Sequence, residues 1–274
     1  MITVDVVIVL DCTASMQEWI DAARNTALES FQALQTIHPD ATFRLGAVCY
    51  RDFGDQEQHI IIPLSTEWNM VQDRLKTIHA LGGNDEAEDV AGALHHAINM
   101  SWDATIKMIL MVTDAPPHGK EYHDITISDR YPKGDPPGRK PRAQVKLLAE
   151  QGIDLTVFRI NPSINTMIRI FEESYQGTNA TFTVLDVENQ TIHLEHVVVD
   201  DNVPVPVEPH SPDMMMPRAR RRLNFDDLEA QTQAEPMYGA SAEMFQSPSD
   251  ISFRTGLIRT VNQSISRSTP ASLK

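Results

Sequence analysis

The sequence predicts an α/β domain over residues 1–190, built on a doubly wound, mostly parallel six-stranded sheet with helices on both faces. One antiparallel edge strand completes the sheet, and a disordered tail occupies 191–274. Three observations predict this. Short apolar, β-branched runs alternate with segments of helical periodicity, the pattern of βα units. Pro63 interrupts a short apolar run and marks it as an edge strand. Past about Asn202, Pro204, Pro206, Pro209, Pro212 and Pro217 come in quick succession, and Ser, Thr, Gln and isolated Met replace sustained periodicity.

Val4 to Leu10 is an apolar, β-branched run bounded by polar residues, as expected of a strand buried on both faces. Met16 to Ile37 places Met16, Trp19, Ile20, Ala23, Ala27, Phe31, Leu34 and Ile37 on one helical stripe, and His38-Pro39-Asp40 stops it. Trp19 and Trp68 read as core. Phe43 to Tyr50 is a second strand and His59 to Leu64 the edge strand. Trp68 to Ala80 and Asp89 to Asn99 are helical, separated by the loop Gly82-Gly83-Asn84-Asp85. Lys107 to Thr113 is another central strand. A Pro/Gly-rich loop runs from Asp114 to about Pro141. Helices over 143–150 and 166–175 then alternate with strands over 155–160 and 181–187.

Net charge is −15 over 274 residues, with −14 of it in residues 1–200 and −1 in the remainder. An acidic body argues against nucleic acid, whose binding needs basic surface to displace counterions; it suits cations. Cys12 and Cys49 sit in apolar strand-like contexts and read as buried, reduced thiols. The N-terminus has no cationic leader, and no apolar run is long enough to span a bilayer. The expectation is a cytoplasmic protein, not secreted and not membrane-bound.

Asp11-Cys12-Thr13-Ala14-Ser15 falls between the first strand and the first helix, and Asp114 ends the Lys107–Thr113 strand. In a doubly wound sheet the ligand crevice opens where the strand order reverses, at the C-terminal ends of the two central strands. Two carboxylates and two hydroxyls would converge there. Hard oxygen donors of this kind suit Mg²⁺, with Mn²⁺ and Ca²⁺ as competitors.

The blocks Asp11-Cys12-Thr13-Ala14-Ser15-Met16, Tyr50-Arg51-Asp52, Gly82-Gly83-Asn84-Asp85-Glu86-Ala87-Glu88-Asp89-Val90 and Thr113-Asp114-Ala115-Pro116-Pro117-His118-Gly119 occur in this order. Together they resemble the von Willebrand factor A (vWA) domain, nearest the subgroup of hemicentins and vWA-bearing alpha-kinases. The resemblance spans about Val4 to Val187 and implies a Rossmann-like fold with a metal-ion-dependent adhesion site. It implies Asp11, Thr13 and Ser15 as first-loop ligands and Asp114 as a third-loop ligand acting through water. Many relatives carry a second-loop threonine where this chain offers Asp85, Glu88 and Asp89. Asp85 is favoured there as the metal residue, with Glu88 the alternative. The implied function is non-catalytic: Mg²⁺ bridges to an Asp or Glu presented by a protein partner. A targeting subunit or substrate of a protein kinase, and a vestigial structural domain, are the other readings.

Enzyme classes fit less well. A dehalogenase-type phosphatase needs a second Asp two residues after the first, where Thr13 stands. No G-x-G-x-x-G follows the first strand. His118 and His123 read as solvated loop histidines, so zinc is not expected. Arg51 and Asp52 read as a salt bridge at a strand end. In the tail, Arg221-Arg222-Leu223-Asn224-Phe225 resembles a cyclin-docking R-x-L-φ motif. Arg221, Arg222, Leu223 and Phe225 would then dock a cyclin-dependent kinase, and the basic cluster would serve nuclear import.

Overall fold

The computed structural model describes residues 2–186 and 247–268. In chain order the elements are β1 (Ile2–Asp11), α1 (Gln17–Ile37), β2 (Ala41–Tyr50), β3 (His59–Ser65), α2 (Trp68–Leu75) and α3 (Val90–Ile98). They continue with β4 (Ile106–Thr113), α4 (Pro141–Glu150), β5 (Ile153–Arg159), α5 (Asn165–Tyr175), β6 (Phe182–Asp186) and α6 (Pro248–Ser268). The sheet order is β3-β2-β1-β4-β5-β6. Only β3 pairs antiparallel; β1 runs parallel to both β2 and β4.

The alternation of β1 side chains divides the core. Val4, Val6, Ile8 and Leu10 enter the layer shared with α1, α2 and α6, whereas Val7 and Val9 enter the layer under α3, α4 and α5. Asp5 interrupts the second set. Its buried carboxylate is matched by a bidentate bond from Arg44, Nε to Oδ1 at 2.7 Å and Nη2 to Oδ2 at 2.6 Å. The amides of Asp103 and Ala104 add to Oδ2. A buried charge is tolerated when hydrogen bonds replace its hydration in this way.

The chain departs from the sequence expectation at both ends of its helical content. Helix α2 stops at Leu75, and residues 76–80 leave the helix. Residues 248–268, expected to be disordered, form α6. Phe253, Leu257, Val261 and Ile265 recur every fourth residue and are all buried against the sheet layer that holds α1. Phe253 stacks on Phe158 with centroids 5.7 Å apart. Gly256 lies so close that a Cβ there would sit 2.6 Å from the Phe158 ring. Polar contacts pin the helix along its length: Ser249 to Glu18, Asn262 Oδ1 to His38 Nε2 at 2.7 Å, and Ser264 Oγ to Asp154 Oδ2 at 2.8 Å.

Because α6 is held by this stripe, Phe253→Ala should cost about 3 kcal/mol, the usual toll of a large buried ring replaced by a cavity. Chemical denaturation checks the loss. Hydrogen exchange should rise first in 248–268, and unchanged protection there would contradict the assignment.

Candidate metal centre

Asp11 closes β1 and Asp114 follows β4, so the neighbouring C-terminal ends of these strands bring the two acids to the switch point of the sheet. Asp11 is buried and its carboxylate is fully engaged at the rear. Oδ1 accepts from the Thr13 amide at 3.0 Å and the Thr13 hydroxyl at 2.7 Å; Oδ2 accepts from Thr113 Oγ1 at 3.0 Å. The Tyr50 hydroxyl donates to Thr113 Oγ1 at 3.0 Å and fixes that residue in turn. After Thr13 the chain makes a 3₁₀ turn over Ala14–Met16 that leaves Ser15 exposed at the rim. The Ser15 hydroxyl bonds the Asp114 carboxylate. Both hydroxyls thus give their protons to carboxylates and keep lone pairs for a cation.

Thr13, Ser15 and Asp114 line an open cleft of about 270 Å³ together with Gly83, Asp85 and Glu88, whereas Asp11 is buried beneath that lining. Gly83 has φ +78°, and a Cβ on it would lie 3.1 Å from Glu88 Oε1 and 3.3 Å from Thr13 Cβ. Glycine allows both the backbone turn and the close approach.

The cleft has a surplus of negative charge. Burial, then the neighbouring Asp114 charge, pushes the Asp11 pKa up to about 7, against the lowering effect of the Thr13 and Thr113 bonds. Burial raises Asp114 as well, opposed by the Ser15 bond. Glu88 is pushed up to about 10 by burial and then by the charges of Asp11, Asp52, Asp55 and Asp85. Its Oε2 is buried without a hydrogen-bond partner among the described residues. Carboxyls that cannot ionise comfortably, with hydroxyl oxygens beside them and an orphaned acceptor, fit a hard divalent cation.

The second loop resolves into three distinct acids. Asp85 lines the cleft, but its Oδ2 accepts the Arg130 amide at 2.6 Å and its carboxyl also contacts Asp52. Glu88 is the acid on which the charge of Asp11 presses. Asp89 caps α3, accepting from the Gly92 amide at 2.7 Å, and pairs with Arg139 at 2.8 Å.

Two expectations are overturned nearby. Arg51 and Asp52 do not pair. The buried Arg51 guanidinium donates instead to the carbonyls of Cys12, Gln56, Glu57 and His79, and Asp52 Oδ1 meets His118 Nε2 at 2.7 Å. His118 and His123 are not solvated; they are 2 % and 8 % exposed and bond to Asp129. The sequence signal for this was the short-range run His118, His123, Asp124, Asp129, which reads as a polar loop until Asp52 is brought to it by the fold. The docking residues Arg221, Arg222, Leu223 and Phe225 lie outside the described residues.

A doubly wound sheet with clustered oxygen donors at its switch point defines a Rossmann-like domain suited to holding a cation. Residues 5–129 match the von Willebrand factor A domain family. Among relatives, the alpha-protein kinase vwkA of Dictyostelium discoideum is 31% identical over 140 residues. That match takes in 50% of this chain and 22% of the kinase, so the chain spans about a fifth of that relative's length. The solved SpRpn10 VWA domain aligns with a TM-score of 0.46 and 9% identity over 68% of this chain and 89% of that one. The pilus adhesin SpaC of Lactobacillus rhamnosus GG aligns with a TM-score of 0.47 and 15% identity, over 68% and 28% respectively. At that distance neither alignment bears on function. Among the described residues, no helix is long and apolar enough to cross a membrane.

Proposed function

We propose that the domain binds a protein partner through a Mg²⁺ held in this cleft, with Mn²⁺ or Ca²⁺ as substitutes, and performs no catalysis. The observation that carries the reading is the unneutralised convergence of Asp11, Asp114 and Glu88 beside the Thr13 and Ser15 hydroxyls. Asp11, Thr13 and Ser15 are the direct ligands. Asp114 acts through water, and among the second-loop acids Glu88 takes the role in preference to Asp85, because Asp85 is engaged by Arg130 and Asp52. With Thr13 and Ser15 ligating as neutral hydroxyls and Asp114 held off by water, a coordination position is left that a partner Asp or Glu can complete.

Titration calorimetry on the full chain tests this. A Mg²⁺ site that disappears in Asp11→Ala is expected, as is partner binding that is lost in EDTA. Equal Mg²⁺ binding by wild type and Asp11→Ala would rule the reading out.

A second reading rests on the name of the Dictyostelium relative. The module would then recruit an alpha-type protein kinase supplied by another chain, with the same cleft as its attachment point. Phosphorylation of a bound partner that depends on both Mg²⁺ and Asp11 would distinguish recruitment from simple binding.

A further inference from the structure

Behind the Mg²⁺ cleft lies a second constellation that the adhesion role does not use. Asp85, His118 and Asp129 each bring a ligand-type atom within 4.8 Å of the others. Asp52 adds a fourth group, its Oδ1 lying 2.7 Å from His118 Nε2. These side chains come from the end of β2, the second loop and the 114–140 loop.

Asp85 is half-buried at the edge of the open cleft, and the other three groups are enclosed. The side chains of Asp52, His118 and Asp129 are 0 %, 1 % and 3 % exposed. Yet Asp52 Oδ2 and Asp85 Oδ1 are both buried without a hydrogen-bond partner, and the two carboxyls contact each other. Two carboxyls in contact, each with a buried oxygen that lacks a partner, need a shared proton or a cation.

The surroundings favour the cation. Asp129 Oδ1 lies 2.8 Å from His118 Nδ1, and Asp129 is itself fixed by the amides of Gly119 and Tyr131 and by His123 Nε2. A carboxylate that holds one ring nitrogen and so orients the other is the usual support of a metal-bound histidine. The rings of Phe53 and Tyr131 pack on His118 at 5.5 and 4.9 Å and keep the site dry. One imidazole with two carboxylates selects a borderline ion rather than Mg²⁺, which prefers oxygen throughout.

We propose that Asp52, Asp85 and His118 Nε2 form a zinc site, with Asp129 as the residue that positions His118, separate from the Mg²⁺ cleft and joined to it through Asp85. Without metal, each His118 ring nitrogen faces a carboxylate, and a proton on Nε2 points toward Asp52. Zinc takes the Nε2 position and that proton leaves to solvent. A bound ion would tie three loops together around the rim of the adhesion cleft.

The test uses the full chain, dialysed against Zn²⁺ with Mg²⁺ in excess, and elemental analysis. Stoichiometric zinc is expected in the wild type and in Asp11→Ala, which separates this site from the adhesion cleft. Asp52→Asn and His118→Gln should lose it, and Asp129→Asn should weaken zinc roughly 10- to 100-fold. Histidine ¹⁵N spectra of the wild type supply a reading that needs no variant: on zinc addition His118 Nε2 should lose its proton and shift as a metal ligand. A wild type that retains no zinc, a folded Asp52→Asn that keeps it, or a His118 ring still doubly protonated in saturating zinc would each overturn the assignment.

Discussion

Mg²⁺ titrations between pH 5 and 7 should show affinity rising roughly tenfold per pH unit, one proton being displaced for each ion bound. The proton comes from Asp11, whose pKa is held at about 7 by burial and by Asp114. The same shift sets the stability of the metal-free protein, with the opposite consequence. Asp11 titrates at 3.8 when unfolded and about 7 when folded, so the folded state holds the extra proton in that interval. Stability of the protein in EDTA should therefore fall as pH rises from about 4 to 7, and Mg²⁺ should restore it. Asp11→Asn, which cannot ionise, should lose both the Mg²⁺ response and this slope. Thermal melts across the pH series, with and without EDTA, read both effects. Metal-free stability that climbs through this interval would show that the carboxyl is not strained in the way the cleft implies.

Arg51→Met should cost roughly 3–5 kcal/mol, the largest loss expected from a single change away from the hydrophobic core. The reason is the number of groups left behind. Arg51 is 1 % exposed and its guanidinium serves four backbone carbonyls, those of Cys12, Gln56, Glu57 and His79. Methionine fills similar volume but leaves these acceptors buried without donors. Lysine offers a single ammonium that cannot span the same four directions, so Arg51→Lys should recover only part of the loss. Because Cys12 lies between Asp11 and Thr13, the variant should also weaken Mg²⁺ binding. Denaturant titration gives the stability term and calorimetry the second. A melting temperature within a degree or two of wild type would mean that water replaces the guanidinium.

The sheet was legible in the chain because strand burial leaves a simple mark. The run Val4–Leu10, apolar apart from Asp5, requires both its faces to be covered, and Pro63 can be accommodated in β3 only at an edge. The first-loop and third-loop residues were legible for a related reason. Their positions follow from strand ends, and a parallel sheet brings the ends of neighbouring strands together whatever the intervening length. Helix α6 was not legible. Its stripe of Phe253, Leu257, Val261 and Ile265 is narrow, and Gly, Ser and Thr around it carry little helical preference. Docking against Phe158 and α1, rather than propensity, stabilises it.

Residue order by itself therefore determined the doubly wound sheet, its edge strand and the placement of Asp11, Thr13, Ser15 and Asp114 at the switch point. Tertiary structure alone decided that Asp85 accepts the Arg130 amide and Asp89 caps α3, that Arg51 serves carbonyls rather than Asp52, and that His118 is enclosed by Asp52 and Asp129. The physical reason is one of range. Strand pattern and strand-end position are properties of short segments, whereas the ionisation and partners of a buried polar side chain depend on which distant loops exclude water from it.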